Sequence, residues 1–203
     1  MAIKPFADFK LHKPADGAVI EKYTNVLPHA LINIWKEYGF GSFAKGFLKT
    51  INPDEYQELL NKTYIKDTKP IPIFTTALGD ILTWDYDFFG KEREKCHCIN
   101  IVYYRDGDDC IVSPVTSLDD DDFFSEELTD SDTYKSDFFW GAYLEAVKVH
   151  GTTIPEYDEC YGYVPLLGLG GKETVNNLQI VKIKEHIMLI KEMMGAIQSR
   201  KNE

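Results

Sequence analysis

The sequence predicts an α+β fold in which a central antiparallel sheet is flanked by N-terminal helices and a C-terminal helix. Three observations support this prediction. Near both ends of the 203-residue chain, apolar residues recur at the three- and four-residue spacing of one helical face. The middle of the chain instead contains short β-branched and aromatic runs separated by turn residues, which is typical of strands. Helices on both sides of a run of strands are typical of the α+β class.

Two helices are predicted in the first part of the chain. In LPHALINIWKEYG, the apolar residues from Leu27 to Tyr38 lie on one helical face, and Gly39 suits the left-handed residue that ends a helix. A second helix is predicted from Pro53, because Asn52 is a good N-cap and proline fits the first helical position. We interpret the intervening residues 40–50 as a glycine-punctuated aromatic linker.

At least four strands are predicted in the middle of the chain. Residues 71–77 and 81–85 have the composition of strands, and Gly79 lies in the turn predicted to join them as a hairpin. Residues 98–104 (CINIVYY) are apolar and β-branched enough for a central strand, and residues 110–112 return beside it after a polar turn. These strands follow one another along the chain, so we expect an antiparallel sheet.

The last part of the chain predicts mostly helix. A helix is expected over residues 135–149, followed by an irregular aromatic stretch at residues 155–163. Residues 178–183 are predicted to form a strand. Residues 184–198 are predicted to form a terminal helix, because isoleucine and methionine recur there on one helical face.

Charge limits the kinds of partner that this chain can bind. The sequence carries 33 acidic against 22 basic residues, a net charge of −11. That balance disfavours direct contact with nucleic acid, which requires clustered lysine and arginine. The sequence contains no secretion signal and no apolar run long enough to span a bilayer. We therefore expect a cytoplasmic protein with no nucleic-acid or membrane partner, whose four cysteines are free thiols.

The strongest charge asymmetry lies at residues 119–132 (DDDDFFSEELTDSD), with eight acids and no base. This segment lacks the alternating ligands and central glycine of a calcium-binding loop. It is either a solvated loop that aids solubility or a surface for a basic protein partner, with aromatic neighbours as apolar anchors. The residues predicted for such a surface are Asp119, Asp120, Asp121, Asp122, Phe123, Phe124, Glu126, Glu127 and Tyr134.

Two motifs resemble metal or phosphate sites but do not have the required spacing. Cys96-His97-Cys98 has no second ligand pair nearby, so strand thiols with an outward histidine fit it better than zinc does. Residues 168–172 (GLGGK) lack the spacing of a phosphate-binding loop and instead predict a glycine turn or a close backbone approach. We therefore predict no metal and no cofactor.

No arrangement of residues typical of catalysis is present in the sequence. Histidines lie in separate predicted elements, no serine lies in a nucleophile elbow, and nothing fixes the separation of carboxylates such as Glu156 and Asp158. The sequence alone therefore predicts no catalytic residue and no enzyme.

Three blocks resemble a known bacterial family in the family's own order. They are LPHALINIWKEYGFGSFAKGFLKTINPDEY, IPIFTTALGDILTWD and YGYVPLLGLGGKETVNNLQIVKIKEHIMLI. Together they resemble the GAD-like and DUF1851 domain proteins, which include immunity proteins of type VI secretion DNase effectors. The resemblance implies a GAD-like part over residues 1–115 and a DUF1851-like part over residues 116–203. It implies a structural role for Gly170 and Gly171.

The resemblance implies an antitoxin that binds its cognate toxin, expected to have a basic surface, in the cytoplasm. An acidic chain is compatible with that role, since a nuclease presents a basic face to phosphates. The alternative is a non-catalytic interaction scaffold of the SMI1/KNR4 kind or a small-ligand-binding module. A dispersed enzyme site is a third alternative.

Overall fold

The computed structural model describes residues 6–89, 94–124, 128 and 139–199, and it confirms the predicted α+β class. Five helices and a seven-stranded antiparallel sheet lie in these ranges. The helices are α1 (Gly17–Tyr23), α2 (His29–Tyr38), α3 (Pro53–Thr63), α4 (Trp140–Val149) and α5 (Ile183–Met194). The caps of α3 are as predicted, since Asn52 Oδ1 accepts a hydrogen bond from the backbone N–H of Asp54 at 3.1 Å.

The strands are β1 (Lys10–Lys13), β2 (Phe40–Phe43), β3 (Leu48–Thr50), β4 (Tyr64–Ile65), β5 (Ile71–Thr76), β6 (Ile81–Phe89), β7 (Glu94–Tyr103), β8 (Asp108–Val115), β9 (Glu159–Tyr163), β10 (Leu178–Lys182) and β11 (Ile197–Gln198). Seven of them form the large sheet in the order β1-β2-β3-β5-β6-β7-β8, and neighbouring strands run antiparallel. Two small sheets pair β9 with β10 antiparallel and β4 with β11 parallel. The predicted central strands and their turn at Gly79 are therefore confirmed.

Each face of the large sheet has its own hydrophobic core. Along β7, Ile99 and Ile101 belong to one cluster and Val102 to the other, because side chains alternate across a strand. The first cluster packs the sheet against α1, α2 and α4, with Trp35 of α2 buried in it. The second cluster packs the opposite face against α3 and α5. The protein is thus a sheet covered by helices on both faces.

The interpretation of residues 40–50 as a linker is wrong. These residues form the hairpin of β2 and β3, with Gly41 paired to Thr50. The turn between the strands contains Ala44, Lys45 and Gly46, all at positive φ. The strands have only four and three residues, and their aromatic side chains are buried in the first core. Such short strands give no clear two-residue alternation in sequence, so the hairpin was not predicted.

The C-terminal prediction is corrected at three places. The terminal helix ends at Met194, and Gly195 at positive φ leads into β11, which pairs with β4. The aromatic stretch at residues 155–163 is irregular over residues 155–158 and then forms β9. The helix predicted from residue 135 begins at Trp140 in the described part, and residues 135–138 lie outside it.

A buried lysine joins the central sheet to the C-terminal part of the chain. Lys49 of β3 is fully buried, and its Nζ donates hydrogen bonds to the backbone carbonyls of Glu156, at 2.9 Å, and Glu159. Nearby, the Tyr157 hydroxyl donates to the Thr50 carbonyl at 2.8 Å. Burial lowers the pKa of Lys49 to about 8, and the surrounding acids oppose that shift. The contact therefore holds the segment before β9 against β3.

Lys49→Met tests this contact through its pH dependence. The unfolded chain holds the lysine proton up to a pKa of 10.5, whereas the folded chain releases it at about 8. Raising the pH across that interval therefore favours the folded state of the wild type, by up to roughly 3 kcal/mol relative to the variant. Urea unfolding of both proteins from pH 7 to 10.5 measures the difference. A difference in unfolding free energy that stays constant with pH would contradict the assignment.

Candidate functional site

The predicted acidic surface lies in the loop after β8, against the first residue of α2. The backbone N–H of His29 donates to the Leu118 carbonyl at 2.8 Å. The His29 Nδ1 atom lies 2.8 Å from Asp119 Oδ1. Pro28 provides no side-chain cap for this helix, so the Leu118 carbonyl satisfies an N–H of the first turn. The acids therefore lie where the helix dipole favours negative charge.

Asp120 differs from its neighbours because it organises the loop. Its Oδ2 atom accepts hydrogen bonds from the Thr116 backbone N–H and hydroxyl, both at 2.8 Å, and its Oδ1 accepts from the Asp122 N–H at 3.2 Å. These hydrogen bonds, led by the backbone N–H of Thr116, lower the pKa of the Asp120 carboxyl. This carboxylate stabilises the loop and is not available as a free contact.

The other three aspartates point to solvent. The Asp119 side chain is 86% exposed, and Asp121 and Asp122 are exposed as well. No ligand cage is formed, since the described residues contain no group of three metal-ligating side chains. We define Asp119, Asp121 and Asp122 as the acidic ledge. The ledge places three negative charges close together in one loop of a protein whose net charge is −11.

The structure corrects the expectation that two phenylalanines act as exposed anchors. Phe123 and Phe124 are buried in the first core, and Phe124 lies 6.4 Å from Phe74 of β5, measured between ring centroids. The rings hold the loop on the sheet and leave the acids outside. The other three residues predicted for this surface lie outside the described part of the chain: Glu126, Glu127 and Tyr134.

The sequence could not identify His29 as the partner of the acidic loop. His29 and Asp119 are separated by 90 positions. No local pattern links them, because the contact depends on how α2 packs beside the end of β8. The sequence gives one signal here: the helix starts after Pro28, which has no capping side chain, so the N–H groups of its first turn need an acceptor from elsewhere.

Two of the four cysteines are poorly suited to catalysis or metal binding. Cys98 and Cys160 are both buried. Burial raises the pKa of each of these two thiols to about 12, so both are protonated at neutral pH. His97 stacks on the buried Trp84 at 4.7 Å between ring centroids, so it is half-buried at the edge of the first core and the expected outward histidine is wrong. Cys98 is a buried strand thiol, as predicted.

The glycine turn at residues 168–172 is confirmed as a structural feature. Gly170 has a φ of +84°, and a Cβ on Gly171 would lie 2.1 Å from the Pro165 carbonyl oxygen. The chain therefore needs glycine at both positions for backbone reasons.

Asp120→Ala should destabilise the protein by about 1 kcal/mol, as removal of a capping carboxylate does. The cost should appear at neutral pH and vanish in acid. The carboxylate stabilises the fold above the unfolded pKa of 3.8, and that stability is lost as the pH falls through the lower folded value. Urea unfolding measures both. Asp121→Ala is the matched control and should change stability little. Equal effects of the two substitutions would contradict the role of Asp120.

Comparisons with known proteins match two separate stretches of the chain to family models. Residues 1–95 match the family model of the GAD-like domain, and residues 119–194 match that of the C-terminal domain of the T6SS immunity protein Tdi1. None of the curated proteins matches the chain. The crystal structure of Atu4351 from Agrobacterium tumefaciens is similar, with a TM-score of 0.55 and 18% identity over 91% of this chain and 86% of that one. This structural similarity shows a shared fold.

The described helices include none that is both long and apolar enough to cross a membrane. The two matched regions occur in the order that the resemblance in the sequence implies. The chain is therefore similar to the GAD-like domain in its first part and to the C-terminal domain of the T6SS immunity protein Tdi1 in its last part.

Proposed function

We propose that this chain is an immunity protein that binds and neutralises a cognate type VI-secreted nuclease toxin in the cytoplasm. The observation that carries the proposal is the match of residues 119–194 to the Tdi1 C-terminal family. That region begins at Asp119, the first residue of the acidic ledge. Neutralisation of this kind needs no catalytic residue and no cofactor.

The charge of the chain supports a nuclease as the target. A nuclease must present lysine and arginine to the phosphates of its substrate. A protein of net charge −11 is attracted to such a face over distances beyond direct contact, which speeds encounter. The acidic ledge offers three exposed carboxylates that are able to pair with the cations of the toxin, although Asp119 also contacts His29. Pairing would cover the surface on which the nuclease binds its substrate.

The proposal is tested by co-expression with the protein encoded beside the gene for this chain. In a susceptible bacterium, that protein alone should degrade cellular DNA and stop growth, and this chain should restore growth and intact DNA. A variant of the neighbouring protein without nuclease activity should co-purify with the chain. Failure of the chain to protect, together with no co-purification, would contradict the proposal and favour the interaction-scaffold or ligand-binding alternative.

Replacing Asp119, Asp121 and Asp122 together by asparagine should weaken toxin binding and reduce its salt dependence. The substitution removes three exposed charges and keeps the Asp120 hydrogen bonds. At low salt we expect a loss of affinity of roughly tenfold or more, shrinking near 0.5 M salt, where the Debye length is only a few ångströms. Isothermal titration with the inactive toxin at several salt concentrations measures it.

A control variant with the same loss of charge separates the ledge from the overall net charge. Glu58, Glu145 and Glu192 are exposed and lie on helices α3, α4 and α5. Their joint replacement by glutamine should change affinity much less than the ledge variant does. Equal losses in the two variants would mean that the net charge of the chain, and not the ledge, attracts the toxin.

A further inference from the structure

A cleft of about 610 Å³ opens between three segments of the chain. One wall is the turn between β7 and β8. The other walls are the segment from Tyr163 to Gly168 and the end of α5 with the residues that follow it. Its volume lies within the range of about 300–1,000 Å³ that is usual for sites of small molecules. The residues of the acidic ledge do not line it, so the cleft is a separate feature of the surface.

The floor of the cleft is apolar. Leu166, Ile190 and Ile197 are buried beneath it, and Met194 beside them is 53% exposed. The Met194 side chain lies over Gly168, where a Cβ would come within 2.1 Å of Met194 Cε. A methionine side chain is flexible and adapts its shape to an apolar neighbour. The floor therefore favours a ligand whose body is apolar.

The charges in the lining of the cleft are paired with each other. Among the described residues that line it, the cation Arg105 and the carboxylate Asp106 face one another, with 3.2 Å between Arg105 Nε and Asp106 Oδ2. Arg105 Nη1 also lies 2.9 Å from Oδ2 of Asp80, which is fully buried outside the lining. An ionic ligand would lose its water shell here without meeting an unpaired opposite charge, which is costly. The lining therefore favours a ligand with no net charge.

Two polar side chains lie between the cleft and a smaller cavity of about 50 Å³, since Arg105 and His186 line both. Arg105 Nη2 is buried and makes no hydrogen bond to any described residue. Because a guanidinium has no acceptor atom, the partner that Nη2 lacks is an acceptor. His186 is 8% exposed, and its ring lies against Gly162, where a Cβ would come within 2.4 Å of Nε2. Burial lowers the pKa of His186, so its ring is neutral at pH 7 and adds an N–H donor without adding charge.

We infer that this cleft binds a small neutral molecule that has an apolar body and a carbonyl group. The apolar body lies on Leu166, Ile190 and Met194. The carbonyl oxygen is the acceptor that Arg105 Nη2 lacks, and the His186 ring N–H is its second donor. This site is independent of the proposed immunity function, and its test requires no toxin.

Matched fluorescent probes test the site and its charge preference on the full chain. N-phenyl-1-naphthylamine is neutral, and anilinonaphthalene sulfonate adds a negative charge to the same ring system. Diphenylhexatriene and its trimethylammonium derivative make the same comparison for a positive charge. Near 0.5 M salt, which screens the net charge of the protein, each neutral probe should bind at least about tenfold more tightly than its charged analogue. Met194→Trp places a large ring over the floor and should weaken binding of the neutral probes at least about tenfold. Met193→Trp is the control and should stay within about twofold of wild type, since Met193 is 49% exposed and does not line the cleft.

His186→Phe tests the carbonyl contact, because it keeps a ring of similar size and removes the N–H. Binding of Nile red, a neutral dye with a carbonyl group, should weaken about fivefold, as the loss of one hydrogen bond does. Binding of N-phenyl-1-naphthylamine, which has no carbonyl, should stay within about twofold of wild type. Equal effects on the two dyes would overturn the carbonyl assignment. Absence of neutral-probe binding to wild type, equally tight binding of a charged analogue, or equal losses in the two tryptophan variants would overturn the site itself.

Discussion

A buried ammonium group holds the two family-matched regions of this chain together. Lys49 belongs to the GAD-like region, and the carbonyls that it binds belong to Glu156 and Glu159 of the immunity-family region. A charge removed from water is costly unless its donors are satisfied, so the segment that supplies those carbonyls cannot move away freely. Close by, the Tyr161 N–H donates to the Ala77 carbonyl at 2.7 Å, which extends the same contact onto the sheet. The first hydrophobic core includes residues of both regions. The acidic ledge is therefore carried by a body in which both matched regions pack together.

The helix cap and the glycine turns were predicted correctly, because each depends on residues that are neighbours in sequence. The Asn52 cap, the Gly79 turn and the glycine turn at Gly170 each follow from residue types at neighbouring positions, and the structure confirms them. The β2–β3 hairpin was missed because its strands are too short to show a pattern. The burial of Phe123 and Phe124 was missed for another reason. An aromatic pair beside an acidic run has the same composition whether it faces a partner or the core, and only the packing of the loop on the sheet decides between them.

The sequence singled out the acidic run but could not show that its aspartates have different structural roles. Four consecutive aspartates look equivalent in sequence, yet Asp120 folds the loop and the other three face solvent. The structure also has a cleft between the β7–β8 turn, the Tyr163–Gly168 segment and the end of α5. It left no trace in the sequence, because these walls lie far apart along the chain. Exposed charge at the ledge contributes chiefly to the rate and salt dependence of association.

Hydrogen–deuterium exchange of this chain, alone and with the inactive protein encoded beside it, tests the central claim most directly. If the chain is an immunity protein that uses the acidic ledge, binding should slow exchange at residues 116–124. Exchange along α1 and β1 should stay unchanged. Protection restricted to α1 and β1, or no protection anywhere in the presence of a toxin that the chain neutralises, would contradict this account of how the protein binds.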